Sequence, residues 1–236
     1  ISPTLQDLSG PGIKQLPFAL KDTMKINENE LFEKNGIFTA FGPHATETVS
    51  ESLWKEIAKL SKKYKIPVHF HCGQSEDEIK IIFEKYKQTP YEFLKNIGVF
   101  EQCSSMLLAH NVLIKETDFA HIPKDKTTFV FCPFSQMIFL YPANINQWDK
   151  NGISWVVATD CVASNDSMNL QKELKLVAGM HSFQKTFSAK NKLPTQEKPN
   201  LSLKDNLLSK VFDLPGNLHP KFKAGTICSG ALAHLV

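Results

Sequence analysis

Five short apolar runs, each closed by a polar residue able to do chemistry, constrain this chain more than any other feature. The runs are Gly36–Phe41 (GIFTAF), Val68–His71 (VHFH), Ser105–His110 (SMLLAH), Thr128–Cys132 (TFVFC) and Gly152–Thr159 (GISWVVAT). They are rich in β-branched and aromatic residues and are bounded by Gly, Pro or charged residues, so each reads as a buried strand. Helical periodicity fills the intervals. Ser50–Tyr64 carries a Ser50 N-cap and apolar residues at Leu53, Trp54, Ile57, Ala58 and Leu60, Glu76–Lys87 is a second amphipathic stretch, and Ser167–Phe187 a third. Strands alternating with helices imply right-handed crossovers and a parallel sheet.

The polar residues decide between the two common parallel architectures. His44 lies just beyond the first run, and the others end at His71, His110, Ser135 and Asp160. An open, doubly wound sheet gathers its polar groups at one switch point, whereas a barrel presents them around the whole C-terminal rim. A β/α barrel is therefore expected. Five strands do not close eight, and the Gly-, Pro- and polar-rich opening to Asn35 shows no clean periodicity. The expectation is a barrel that lacks its first strands, in a piece of a longer product. Its first strand should then expose an edge, with apolar side chains along Ile37, Thr39 and Phe41. A neighbouring copy of the chain in a homo-oligomer is one thing that would cover it.

Composition narrows function by exclusion. Lys and Arg number 27 against 24 Asp and Glu, giving a net charge of +3 with the lysines dispersed, which leaves no footprint for nucleic acid. The longest apolar runs are strand-length, far short of a membrane span. Five cysteines, Cys72, Cys103, Cys132, Cys161 and Cys228, are an odd number without a CxxC pair. They point away from a disulfide framework and toward a reducing, cytoplasmic setting. Ser188–Leu203, with Pro194 and Pro199, reads as a surface loop, and Ala224–Val236 as a hairpin around Ser229–Gly230.

Among the candidate site residues, Asp160 carries most information. A carboxylate directly after an apolar run must be hydrogen-bonded, paired or metal-bound, because burying it bare is too costly. His69 and His71 are two apart and share one side of their strand. Alone, each strand histidine reads as a hydrogen-bonded core residue or as a metal ligand. Together with Asp160 on neighbouring strand ends, His71 and His110 read as one shared site. Cys72 and Cys161 should point away from that site and pack, Cys132 ends a strand before Pro133, and Trp54, Trp148 and Trp155 should lie in the core.

The order of His71 with Gln74 three residues on, His110, CPFSQ (Cys132–Gln136) and ATDCVASND (Ala158–Asp166) resembles the amidohydrolase superfamily. The likeness is greatest to the branch of cytosine, guanine, adenosylhomocysteine and aminofutalosine deaminases and triazine hydrolases. GPHATETVS (Gly42–Ser50) is similar to the segment that carries a substrate-contacting histidine there, here His44. The resemblance covers roughly residues 36–236. It implies part of a (β/α)8 TIM-type barrel, lacking its first strands, over 1–215 and a segment returning to a small β-sandwich over 216–236. It further implies one divalent metal, zinc with iron or manganese as alternatives, and hydrolysis of a C–N or C–Cl bond in a small nitrogen heterocycle. His71 and Asp160 would be ligands, with Asp160 also the base that takes a proton from water, and His110 would hydrogen-bond the attacking hydroxide or the substrate atom it attacks. Ser164 and Asn165 would shape the substrate loop.

Two departures stand out. The branch has a His-x-His pair on its first strand, and the only such pair here, His69–His71, sits in the context of a later one. The branch also carries glutamate where this chain has Gln74. Glutamine can orient a substrate but cannot hand it a proton. The alternative expectation is therefore a catalytically impaired member that serves as a small-molecule or protein binding module.

Overall fold

In the computed structural model, which describes residues 1–190 and 207–229, the strands form one parallel succession. They are β1 (Thr4–Leu5), β2 (Gly42–Pro43), β3 (Val68–Cys72), β4 (Met106–His110), β5 (Thr127–Phe131) and β6 (Ser154–Val157). β1 pairs with β2, and β3 to β6 pair in sequence order, all in parallel. Parallel bridges Phe41–Val68 and Ala45–His71 join the two sets. The succession thus reaches six strands, two short of the eight of a closed β/α barrel.

The last four strands fall within two residues of the expected runs, and the first does not. Gly36–Ala40 is irregular, and the stretch that runs beside β3 is Phe41–Ala45. The Phe41 N–H donates to the Pro67 carbonyl, and the His69 and His71 N–H groups donate to the carbonyls of Phe41 and His44. The expected exposed edge is absent as well. Thr39 and Phe41 are buried, Ile37 is half-buried, and Ala40 N–H donates to the Ile1 carbonyl. The cover comes from the opening residues themselves, which supply β1 and a helix α1 (Leu16–Glu28) followed by a short α2 (Glu30–Lys34). Pro17 in the first turn starts α1, but only Ala19 and Thr23 of it are buried. That narrow apolar contact is why no periodicity is legible there.

Further along, α3 (Glu51–Tyr64) is capped by the Ser50 hydroxyl, which accepts from Leu53 N–H. α4 (Glu76–Tyr86) is capped by Ser75 in the same way. α5 (Pro90–Asn96), α6 (Val99–Gln102), α7 (Pro133–Phe139) and α8 (Ile145–Lys150) are short, and α9 (Leu170–Lys190) is the longest. α9 extends past the expected helix end and into the start of the expected loop at Ser188, whose remainder lies outside the described residues. Residues 224–229 contain no strand, and the rest of the expected C-terminal hairpin is likewise outside the described residues. No described helix is long and apolar enough to cross a membrane.

Alternation along the strands builds two cores. Val68, Phe70, Met106, Leu108, Phe129, Phe131, Trp155 and Val157 face the helices and pack with Trp54 and Trp148. Ala109, Val130, Cys132 and Val156 form a small cluster on the opposite, inner face, with Leu214 and Leu218 against it. All three tryptophans are at most 1% exposed, as expected of core residues. Cys72 packs with the outer core, but Cys161 is exposed, contrary to expectation. It follows Asp160 in a left-handed turn, φ 63°, which breaks the alternation on which that expectation relied.

Candidate active site

The strand ends converge on the inner face. The His44 and His71 rings meet edge to face with centroids 5.0 Å apart, and His71 stacks on His110 at 5.3 Å and 14°. His110 Nε2 lies 3.9 Å from Asp160 Oδ2. His110 reaches this position against its strand parity. It pairs in register with Cys72, which points to the helices. A left-handed backbone at His110, φ 78°, turns the imidazole inward instead. Non-glycine residues seldom adopt such angles, and they cluster where a site requires them. His110 and Asp160 both do so here.

Hydrogen bonds fix each group. The His71 Nδ1–H donates to the His44 carbonyl at 2.7 Å, which leaves Nε2 as the unengaged ring nitrogen. His44 Nδ1 bonds the Thr48 hydroxyl at 3.1 Å. Asp160 Oδ2 accepts from the Ser135 hydroxyl, and Oδ1 accepts from Cys161 N–H at 2.7 Å. Burial raises the Asp160 carboxyl, but the Ser135 and Cys161 bonds and the neighbouring His110 outweigh it, so its pKa falls below the usual carboxylate range. His110 is pushed down to about 4, first by burial and then by His71, with Asp160 opposing. Burial and His71 likewise lower His44 and His69.

The donor set suits a divalent cation. Ligand atoms of His110, Cys132 and Asp160 all lie within 4.8 Å of one another. The buried His110 Nδ1 has no hydrogen-bond partner, and the His71 ring stacked beside it offers Nε2. Cys132 is the weakest donor of the group, because burial and then Asp160 push its thiol well above its usual range and a thiolate is what binds metal.

Three buried polar side chains that the sequence reading passes over tie the rim together. Glu78, in the first turn of α4, accepts from the Thr46 hydroxyl and the Gly73 N–H through Oε1 and from the Gln74 N–H through Oε2. Glu173, near the start of α9, accepts from Phe134 N–H and from the Asn165 amide. Gln136 donates to the His110 carbonyl and accepts from Ala143 N–H. A Ser/Thr-x-x-Glu signature at Ser75–Glu78 was available, but it announces a helix cap, and Glu78 instead turns to the loops. Ser164 and Asn165 were expected to shape the substrate loop, and their polar atoms are used inside it. The Ser164 hydroxyl bonds the Cys161 carbonyl, and the Asn165 amide bonds the Thr159 carbonyl and Glu173. Gln74 lies half-buried beyond β3 with its backbone held by Glu78.

The parallel strands turn histidines and an aspartate into one C-terminal rim, and comparison with known proteins places the chain in a family. Residues 19–211 match the amidohydrolase family, and the chain belongs to it. It is 31% identical over 164 residues to the 5'-deoxyadenosine deaminase of Methanocaldococcus jannaschii, an alignment covering 69% of this chain and 39% of that enzyme. The guanine deaminase of C. acetobutylicum, solved with guanine in its active site, superposes with a TM-score of 0.80 at 20% identity over 97% of this chain and 53% of its own. An adenosine deaminase from Xanthomonas campestris with bound zinc gives 0.79 at 17% identity, covering 98% and 50%. The chain thus spans about two-fifths of the length of the curated relative, and it shares its fold with the two solved structures.

Proposed function

We propose that these residues form part of a metal-dependent deaminase that removes an exocyclic amino group from a nitrogen heterocycle, with an adenine nucleoside such as 5'-deoxyadenosine the first substrate to test. The observation that carries the reading is the inward rotation of His110 onto His71 and Asp160 by left-handed backbone at both His110 and Asp160. Strain of that kind is retained where a site requires it.

In this reading His71 Nε2 and the Asp160 carboxylate hold one divalent cation, zinc or, in its place, iron or manganese. When bound, the cation acidifies water and neutralises negative charge developing on the attacked carbon's substituents. Asp160, kept ionised by Ser135 and the Cys161 N–H, takes the proton from water and delivers it to the leaving nitrogen. His110, neutral at physiological pH because burial and His71 lower it, orients the attacking oxygen without competing for that proton. His44, whose ring packs against His71, and Gln74, three residues beyond it, would hydrogen-bond the heterocycle. The reading takes the remaining cation ligands from outside these 236 residues, assigns 1–215 to the barrel and 216–236 to a segment returning to a small β-sandwich, and places the protein in the cytoplasm.

One observation favours a second reading. Gln74 cannot pass a proton to a ring nitrogen, which fits a binding module that keeps the site but not the turnover. Ammonia release from a panel of amino-purines, amino-pyrimidines and adenine nucleosides by the full-length protein, with zinc, iron and manganese content measured on the same sample, separates the two. Turnover of any member by metal-loaded protein supports the deaminase, and tight binding without ammonia from every member supports the module.

A further inference from the structure

We propose that Glu78 is a positioning residue of this site, a buried carboxylate clamp that locks the loop carrying His44 to the loop following His71. The proposal rests on the functional reading above for what the two loops hold, but the clamp itself rests on geometry. Glu78 is 1% exposed and lies seven residues beyond His71 in sequence. Its Oε1 accepts from the Thr46 hydroxyl at 2.6 Å, two residues after His44, and from Gly73 N–H at 3.1 Å. Its Oε2 accepts from Gln74 N–H at 2.8 Å. Three donors converge on one carboxyl from two separate loops, 27 and 32 residues apart in sequence at their His44–His71 and Thr46–Glu78 links. His71 is fixed by the same loop pair, since its Nδ1–H donates to the His44 carbonyl. Slack between the loops therefore moves both the His71 ring and the His44 ring that packs on it.

The charged form fills every position most strongly. Two backbone N–H groups and one hydroxyl all donate, so a carboxylate accepts all three as charge-assisted bonds, whereas a protonated carboxyl accepts them more weakly and an amide presents a donor where an acceptor is needed. Burial works in the opposite direction. It raises Glu78, helped by the facing Glu47, to about 7. The other titratable groups against it are Cys72 on β3 and Tyr91 on α5, both raised first by burial, with Asp118 beyond Tyr91. The clamp therefore tightens as pH rises through neutrality.

Hydrogen–deuterium exchange of the full-length protein tests this independently of any substrate. In the wild type, protection of the Gly73 and Gln74 amides, corrected for intrinsic exchange, should rise across neutral pH. In Glu78→Gln it should be roughly tenfold lower above neutrality, the scale of losing a hydrogen bond to a charged acceptor, and flat with pH. Glu173→Gln, which removes the corresponding brace at Phe134 and Asn165, should leave the Gly73 and Gln74 amides unchanged. Thr46→Val should loosen residues 44–48 alone. Equal protection of Gly73 and Gln74 in wild type and Glu78→Gln, or a flat wild-type pH profile, overturns the proposal. Protein that shows the clamp but releases no ammonia from the panel above leaves it standing and refutes the deaminase reading instead. In an active protein, Glu78→Gln should lower kcat with metal content unchanged.

Discussion

Replacing Glu78 by Gln should change the pH dependence of folding stability in a direction opposite to its effect on loop order. The carboxyl rises from 4.5 to about 7 on folding, chiefly because burial disfavours its charge. A group whose folded pKa is raised contributes stability that is fully present below its unfolded pKa and is lost as pH climbs through the folded one. That rise, at about 1.4 kcal/mol per tenfold change in proton affinity, places a loss of about 3 kcal/mol in the window from about 4.5 to 7. Glutamine carries no such proton, so it lacks the loss. Chemical denaturation of wild type and Glu78→Gln in parallel across that window cancels the titrating groups that do not interact with Glu78. The stability of the variant relative to wild type should therefore rise by about 3 kcal/mol between the acid and neutral ends. A difference that stays constant within about 0.5 kcal/mol would show that Glu78 titrates alike in both states, and the argument from its burial would fail.

Three further outcomes follow from packing and exposure. Gly73→Ala should destabilise the protein by about 2 kcal/mol or more in thermal melts, because residue 73 sits at φ 61° and a Cβ there would come within 2.5 Å of the Tyr91 hydroxyl. Trp148→Ala should cost about 3–5 kcal/mol in denaturant unfolding, since the ring is fully buried against Phe129, Phe131 and Trp155. In native thiol labelling followed by peptide mapping, the exposed Cys161, lowered by its hydrogen bonds to Ser164, should react far faster than the buried Cys72, Cys103 and Cys132.

The legible part of the fold was the part in which side-chain period and backbone agree. β3 to β6 announce themselves because Val68, Phe70, Leu108, Phe129 and Trp155 alternate against a helix layer and their ends carry His71, His110 and Asp160. β1 and β2 do not, because each has only two residues and Gly42–Pro43 has no strand propensity; the neighbouring chain imposes the conformation. Apolar runs marked the wrong residues there, drawing the first strand to Gly36–Phe41. At the site, residue types ending strands were readable, but the means of bringing them together were not. Alternation alone sends His110 outward with Cys72, and nothing in SMLLAH announces the left-handed turn that reverses it. Glu78 and Glu173 were hidden for a different reason: a glutamate in the first turn of a helix ordinarily serves the helix end, and only the fold reveals that these two serve neighbouring loops.

The central claim is that His71 and Asp160 hold one divalent cation, and X-ray absorption at the zinc edge on zinc-loaded, full-length protein tests it most directly. The expected shell is nitrogen and oxygen at about 2.0–2.2 Å, without the sulfur at about 2.3 Å that a Cys132 thiolate would add. Both His71→Ala and Asp160→Asn should alter that shell, while Cys132→Ser should leave it unchanged. A shell unaffected by His71→Ala and Asp160→Asn, or one that contains sulfur and loses it in Cys132→Ser, would contradict the account.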